Sequence, residues 1–200
     1  MSIVNFKNKF ISLSGIFGIV ILWTGVGISM LIAHLHFIDT RPISYLGIDS
    51  RTSQLFSVTL ILSAILFIIF GYFVRASYKV KAPFLVFLII GQLGQLITAV
   101  SPYGHREPMR FIHTIAAFTL AFSLPFLINT FRLSQRSSTR YQLFTWLFNI
   151  ELACFIVGIS LFVFTKGIAP LGEALPALGF HLWVIVVTYV MIIEASDRVT

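Results

Sequence analysis

Five histidines, His34, His36, His105, His113 and His181, stand at the ends of apolar segments or in the short loops beside them. Threading those segments alternately through a bilayer brings all five ends to the same face. Imidazole suits both metal ligation and proton transfer near neutral pH, so this face is where chemistry is expected. A metal site would take His113 and His181 from two helix ends, with Asp39, Asp49 or His105 completing it, a donor set that suits zinc. Zinc held there would activate water for hydrolysis. No compact ligand spacing such as H-E-x-x-H is present. The competing reading is a hydrogen-bonded cap over the bundle that joins Arg106, Glu107 and Arg110.

The segment between the first two apolar runs carries His34, His36, Asp39, Arg41, Ser44 and Tyr45, with Pro42 and Gly47 marking a rigid turn back into the bundle mouth. His34 and His36 would point about 200° apart on a helix, so they share a site only where the helix has ended between them. Otherwise they belong to an interfacial polar fringe. Ser44 and Ser101 are candidate nucleophiles by type, although neither has a G-x-S-x-G setting. Arg41, Arg106 and Glu107 would bind a ligand's polar end.

A deeper feature is Glu151, which interrupts the apolar run Phe148-Asn149-Ile150-Glu151-Leu152. It lies nine residues beyond Gln142, and Gln92 lies nine beyond Pro83 in another outward-running segment. Equal rise puts both about 13 Å from the inner end, with Gln95 one turn higher. An ionisable group at mid-bilayer is costly and marks function by default. The structural alternative is a protonated Glu151 hydrogen-bonded to Gln92 or Gln95 as glue between the third and fifth spans. Gly91 and Gly94 would let those helices close up.

The elements that must position these residues are membrane helices. Of 200 residues, 58% are hydrophobic and only 10% charged, against about a quarter charged in soluble domains. Six stretches approach the ~20 residues that span a bilayer: 12–35, 54–74, 83–100, 111–131, 142–164 and 177–193. The expected fold is all-α, a single six-helix transmembrane domain over residues 1–200. The first stretch reads as a retained signal anchor, since no small-residue cleavage site follows it. Pro125 should kink the fourth span. Cys154 is the single cysteine and lies in an apolar run, which allows no intrachain disulfide.

Lys7, Lys9, Arg75, Lys79, Lys81, Arg132, Arg136, Arg140 and Arg198 fall on one side, against Arg41, Arg51, Arg106, Arg110 and Lys166 on the other. That bias puts both termini in the cytoplasm and makes 37–53, 101–110 and 165–176 the outer loops. These loops also hold Asp39, Asp49, Glu107 and Glu173, four of the seven carboxylates. The net charge of +7 is split among short loops, which fits anionic lipid headgroups rather than nucleic acid.

Arg41-Pro42-Ile43-Ser44-Tyr45-Leu46-Gly47 after the first span, with Ser101-Pro102 and His113 opening the fourth, resembles a bacterial six-span family known as domain of unknown function nine-nine-eight. More distantly it is similar to the Frag/DRAM/Sfk group of eukaryotic six-span proteins. The first resemblance implies topology; the second implies membrane-lipid or lipid-anchor biology. The expected protein sits in the cell membrane, most readily a bacterial inner membrane. Its polar mouth would bind or act on a lipid-like ligand, with a metal-dependent hydrolase as the enzymatic form. The alternatives are a small transporter using Glu151, Gln92 and Gln95, or a non-catalytic subunit of a membrane complex. Membrane lipids, a second copy or a complex subunit are the expected partners.

Overall fold

The computed structural model describes residues 11–101, 107–164 and 169–197. The described residues form six helices, α1 (Ser14–Ala33), α2 (Ser53–Tyr78), α3 (Ala82–Val100), α4 (Glu107–Ser134), α5 (Tyr141–Phe164) and α6 (Ala169–Asp197), with a 3₁₀ turn at Ile43–Gly47 between α1 and α2. No strand occurs among the described residues. All six are long and apolar enough to cross a membrane. Their outer faces carry large exposed hydrophobics such as Leu31, Phe111, Phe126, Trp146 and Phe164. Water would not tolerate so continuous an apolar surface, and the chain is a multi-pass membrane protein.

Consecutive helices pack side by side, and α6 returns against α1 to close the ring, with α4 also reaching α6. The α1 helix stops at His34, which takes a left-handed conformation (φ 52°) while the Leu35 N–H donates back to the Met30 carbonyl at 2.9 Å. Orphaned carbonyls at a helix end are often satisfied this way.

Two helices start a turn or more earlier than the sequence suggests. The fourth span begins at Glu107 rather than 111, because Pro108 falls in the first turn, where its missing N–H costs nothing. The sixth begins at Ala169 rather than 177, and Pro176 lies inside it. The first N–H of α6, on Ala169, is satisfied by the Asp39 carbonyl at 3.1 Å, which meets the need of an orphan donor. Glu173 is consequently a helix residue, not a loop residue. Pro125 sits within α4 without interrupting it.

The two halves of the bundle are filled differently. Toward the end bearing the α2–α3 and α4–α5 connections, the interior is packed with Phe67, Phe70, Phe84, Phe131, Phe144, Phe180 and Trp183. Phe131 lies 4.9 Å from Phe144 and 5.3 Å from Trp183, ring centre to ring centre, both edge-on. Arg140 and Glu194 pair at 2.8 Å at this end, tying α5 to α6. Toward the 3₁₀ turn the interior side chains are mostly aliphatic or small, including Leu22, Val26, Leu46, Leu60, Ala99 and Ala174, with Phe56 buried among them and Trp23 packed against them.

Candidate functional site: a cavity in the histidine half

The half with the smaller side chains holds a partly open cavity of about 200 Å³. Its origin is visible in the helix repeats. On α4 the positions one turn apart, His113, Ala117 and Ala121, line it, and on α6 so do Glu173, Ala177 and His181. Residues four apart share a helix face, so each stripe places a polar group beside alanines too small to fill the space. Gln92, Gln95 and Thr98 line it from α3, and Leu22, Trp23 and Val26 from α1. Phe67 and Phe180 belong to both the cavity wall and the aromatic core. The cavity ends on that core.

Ser44 comes from the 3₁₀ turn, and Glu173 receives both of its donors. The Ser44 backbone N–H reaches Oε2 at 3.0 Å and the hydroxyl reaches Oε1 at 3.0 Å. This two-point hold fixes the turn against α6 and fixes the carboxylate against the cavity.

His181 is held on three sides. The Trp23 indole N–H donates to its Nδ1 at 3.0 Å. The ring stacks on Phe67 with centroids 5.5 Å apart, and Phe180 stands 5.7 Å away. An indole N–H can only donate, so Nδ1 accepts and the ring hydrogen sits on Nε2. His113 is held by the opposite logic. Its Nδ1 lies 2.6 Å from the Ser101 carbonyl, an atom that can only accept, so Nδ1 carries the hydrogen. Both histidines are at most 4% exposed. The 3₁₀ turn and the start of α4 thus both meet the cavity, one through Ser44 and the other through His113.

Gln95 spends its amide nitrogen on α2, donating to the Leu60 carbonyl at 2.9 Å and to Ser63 Oγ at 2.7 Å. Gln92 is 2% exposed, and neither its Oε1 nor Thr98 Oγ1 has a hydrogen-bond partner among the described residues.

Other sequence candidates lie elsewhere. His34 and His36 are exposed, and the helix ends before both. Asp39 is engaged by Arg41 through side chain (2.9 Å) and backbone N–H (2.8 Å), and Arg41 also reaches the His34 carbonyl at 3.0 Å. Asp49 and Arg51 repeat the arrangement ten residues on, at 2.8 Å between side chains. These two Asp-x-Arg clasps flank the 3₁₀ turn. The arginine hydrogen bonds draw the pKa of each aspartate down to about 2. Glu107 is exposed in the first turn of α4, a favourable end for an acid. His105 and Arg106 lie outside the described residues. No group of three or more His, Cys, Asp or Glu side chains comes together among the described residues.

Glu151 is fully enclosed, as expected, but its setting differs. It faces α6, where the missing side chain of Gly179 makes room for it, and both carboxyl oxygens lack hydrogen-bond partners among the described residues. It meets neither Gln92 nor Gln95, and it is not among the described residues that line the cavity. Gly91 and Gly94 close α3 onto α4 instead of α5. A ring of six helices in chain order keeps the third and fifth apart.

Glu173, Trp23 and Thr98 were not singled out from sequence as site residues. The signal for Glu173 was its eight-residue spacing from His181, two turns on one face, hidden by the loop reading of Pro176. Trp23 and Thr98 carry no sequence signal beyond their type. Comparisons with protein-family models, with curated proteins and with solved structures return no significant match to this chain.

Proposed function

We propose that this protein binds a lipid-like amphiphile, seating an apolar segment in the cavity and a polar end near Ser44, Glu173 and His181. The observation that carries this reading is an apolar cavity with a few fixed polar groups in its wall, the ordinary make-up of a small-molecule site. At about 200 Å³ it exceeds the ~150 Å³ engineered cavity that admits benzene. It therefore suits part of a lipid, such as a stretch of one chain, rather than a whole phospholipid.

In this reading both termini are cytoplasmic and the cavity opens in the outer half of a cell membrane, supported by the basic residues around 75–81 and 132–140. Native mass spectrometry of the detergent-purified protein tests the binding claim. A bound amphiphile near one per chain is expected, and it should be lost from Ala177→Leu, which fills the cavity. Equal occupancy of both forms, or no adduct on the wild type, overturns the reading.

A further inference from the structure

Resting on that reading, we infer that the preferred ligand carries a cationic amine, paired with Glu173, rather than a phosphate or a carboxylate. The wall has one ionisable acid, Glu173, and no lysine or arginine among its described residues. Buried charges are normally paired, yet among the described residues Glu173 meets only neutral donors, two from Ser44 and the backbone N–H of Ile43. An ionised carboxyl group offers about four lone-pair positions, so it retains acceptor capacity after both Ser44 bonds. The neighbouring polar atoms lean the same way. Gln95 has committed its nitrogen to α2, which leaves its oxygen as the group it can offer. Thr98 Oγ1 and Gln92 Oε1 are buried without partners among the described residues. An ammonium brings three donors and no acceptor, and an alkylamine, like lysine with its pKa of about 10.4, is charged at neutral pH. An anionic head would meet a carboxylate with no basic side chain of the described wall to offset it. The Nε2–H of His181 and the Thr98 hydroxyl, which can donate as well as accept, are neutral donors and carry no positive charge to offset an anionic head.

The test uses the full chain in detergent with Trp146→Phe, because Trp146 is 62% exposed on the outer surface and would report on the micelle. Of the two tryptophans that remain, Trp23 lines the cavity and reports contact with bromine, while Trp183, buried in the aromatic core and not in the wall, gives a constant background. The probes are ω-bromoundecylamine, ω-bromoundecanol and ω-bromoundecanoate, matched in chain and differing only in the head. The amine should quench at a concentration about tenfold below the carboxylate, the scale of one charge-assisted hydrogen bond, with the alcohol between. Glu173→Gln should abolish the amine's advantage, and Ser44→Ala, which keeps the carboxylate, should retain it. Equal quenching by all three probes, or an amine preference that survives Glu173→Gln, overturns the head-group assignment and leaves the cavity reading standing. Loss of the preference in a folded Ser44→Ala protein also overturns it. Quenching by none of the probes removes the cavity reading itself.

Discussion

At the residue scale, Asp39 and Asp49 are each pinned by an arginine two positions on, first by its side-chain hydrogen bond and then by its backbone N–H. Asp39 should titrate near 2 in the folded protein, against about 3.9 for an unperturbed aspartate. A carboxylate with a depressed folded pKa contributes stability above the unfolded value and loses it as pH falls through the folded one. The Asp39 clasp should therefore hold above about pH 4 and release as pH approaches 2. Carbon-detected NMR of the labelled carboxyl would follow it, with Arg41→Ala returning the titration toward the ordinary value; an unchanged midpoint in Arg41→Ala would refute the clasp. Glu151 makes a second case. Sequence placed it at mid-depth facing the interior, because rise per residue and the cost of a polar group in lipid are local arguments. Its neighbour was not legible, because that depends on helix order around the ring. With both oxygens unpartnered among the described residues, Glu151→Gln should keep the fold, and Glu151→Leu should melt at or above the wild-type temperature, since removing an unsatisfied buried polar group is neutral or stabilising. A large drop in the Leu variant would reveal a partner for the carboxyl.

At the scale of elements, the six spans were readable from hydropathy and length because a bilayer demands about 20 apolar residues from each. The errors came at Pro108 and Pro176, where a helix breaker was taken as a boundary. One proline occupies a first turn, and the other packs over Gly158, a tertiary circumstance outside any local rule. Helix pairing was likewise hidden. Gly94 was read as a contact toward the fifth span, but it is the close approach of α3 to α4. A Cβ there would stand 2.7 Å from the Ala116 carbonyl oxygen and 2.9 Å from the Leu120 nitrogen. Backbone cannot move aside without shifting a helix. Gly94→Ala should cost on the order of 1–3 kcal/mol, the usual penalty of overpacking. Gly27 is the control: a Cβ there meets nothing within 4 Å. Gly27→Ala should be neutral or gain up to about 1 kcal/mol from helix propensity. Denaturation in mixed micelles would rank the two, and equal losses would mean that the α3–α4 approach is not tight.

At the scale of the whole molecule, the bundle is solid at one end and hollow at the other. Phe and Trp fill the first half, and alanines one turn apart leave space in the second. Close packing is the rule inside proteins, and unfilled volume costs dispersion contacts along its lining. A fold selected for stability alone would put larger side chains at Ala117, Ala121 and Ala177. Keeping those positions small while fixing Glu173, His113 and His181 in the same wall is what the proposed binding site requires. Part of this was readable: the histidines were expected to share one face, and Ala117, Ala121 and Ala177 stand in the sequence at helical spacing from His113 and His181. The cavity itself was not, because it follows from which faces of six helices converge. A single prediction separates a site from a packing flaw. Ala117→Leu should raise the melting temperature of the ligand-free protein, as cavity-filling changes commonly add about 0.5–2 kcal/mol, and should at the same time abolish quenching of Trp23 by the bromoalkylamine. A stabilised variant that still admits the probe would mean that the amphiphile binds elsewhere. A destabilised one would mean that the space is already occupied by motion of the surrounding side chains.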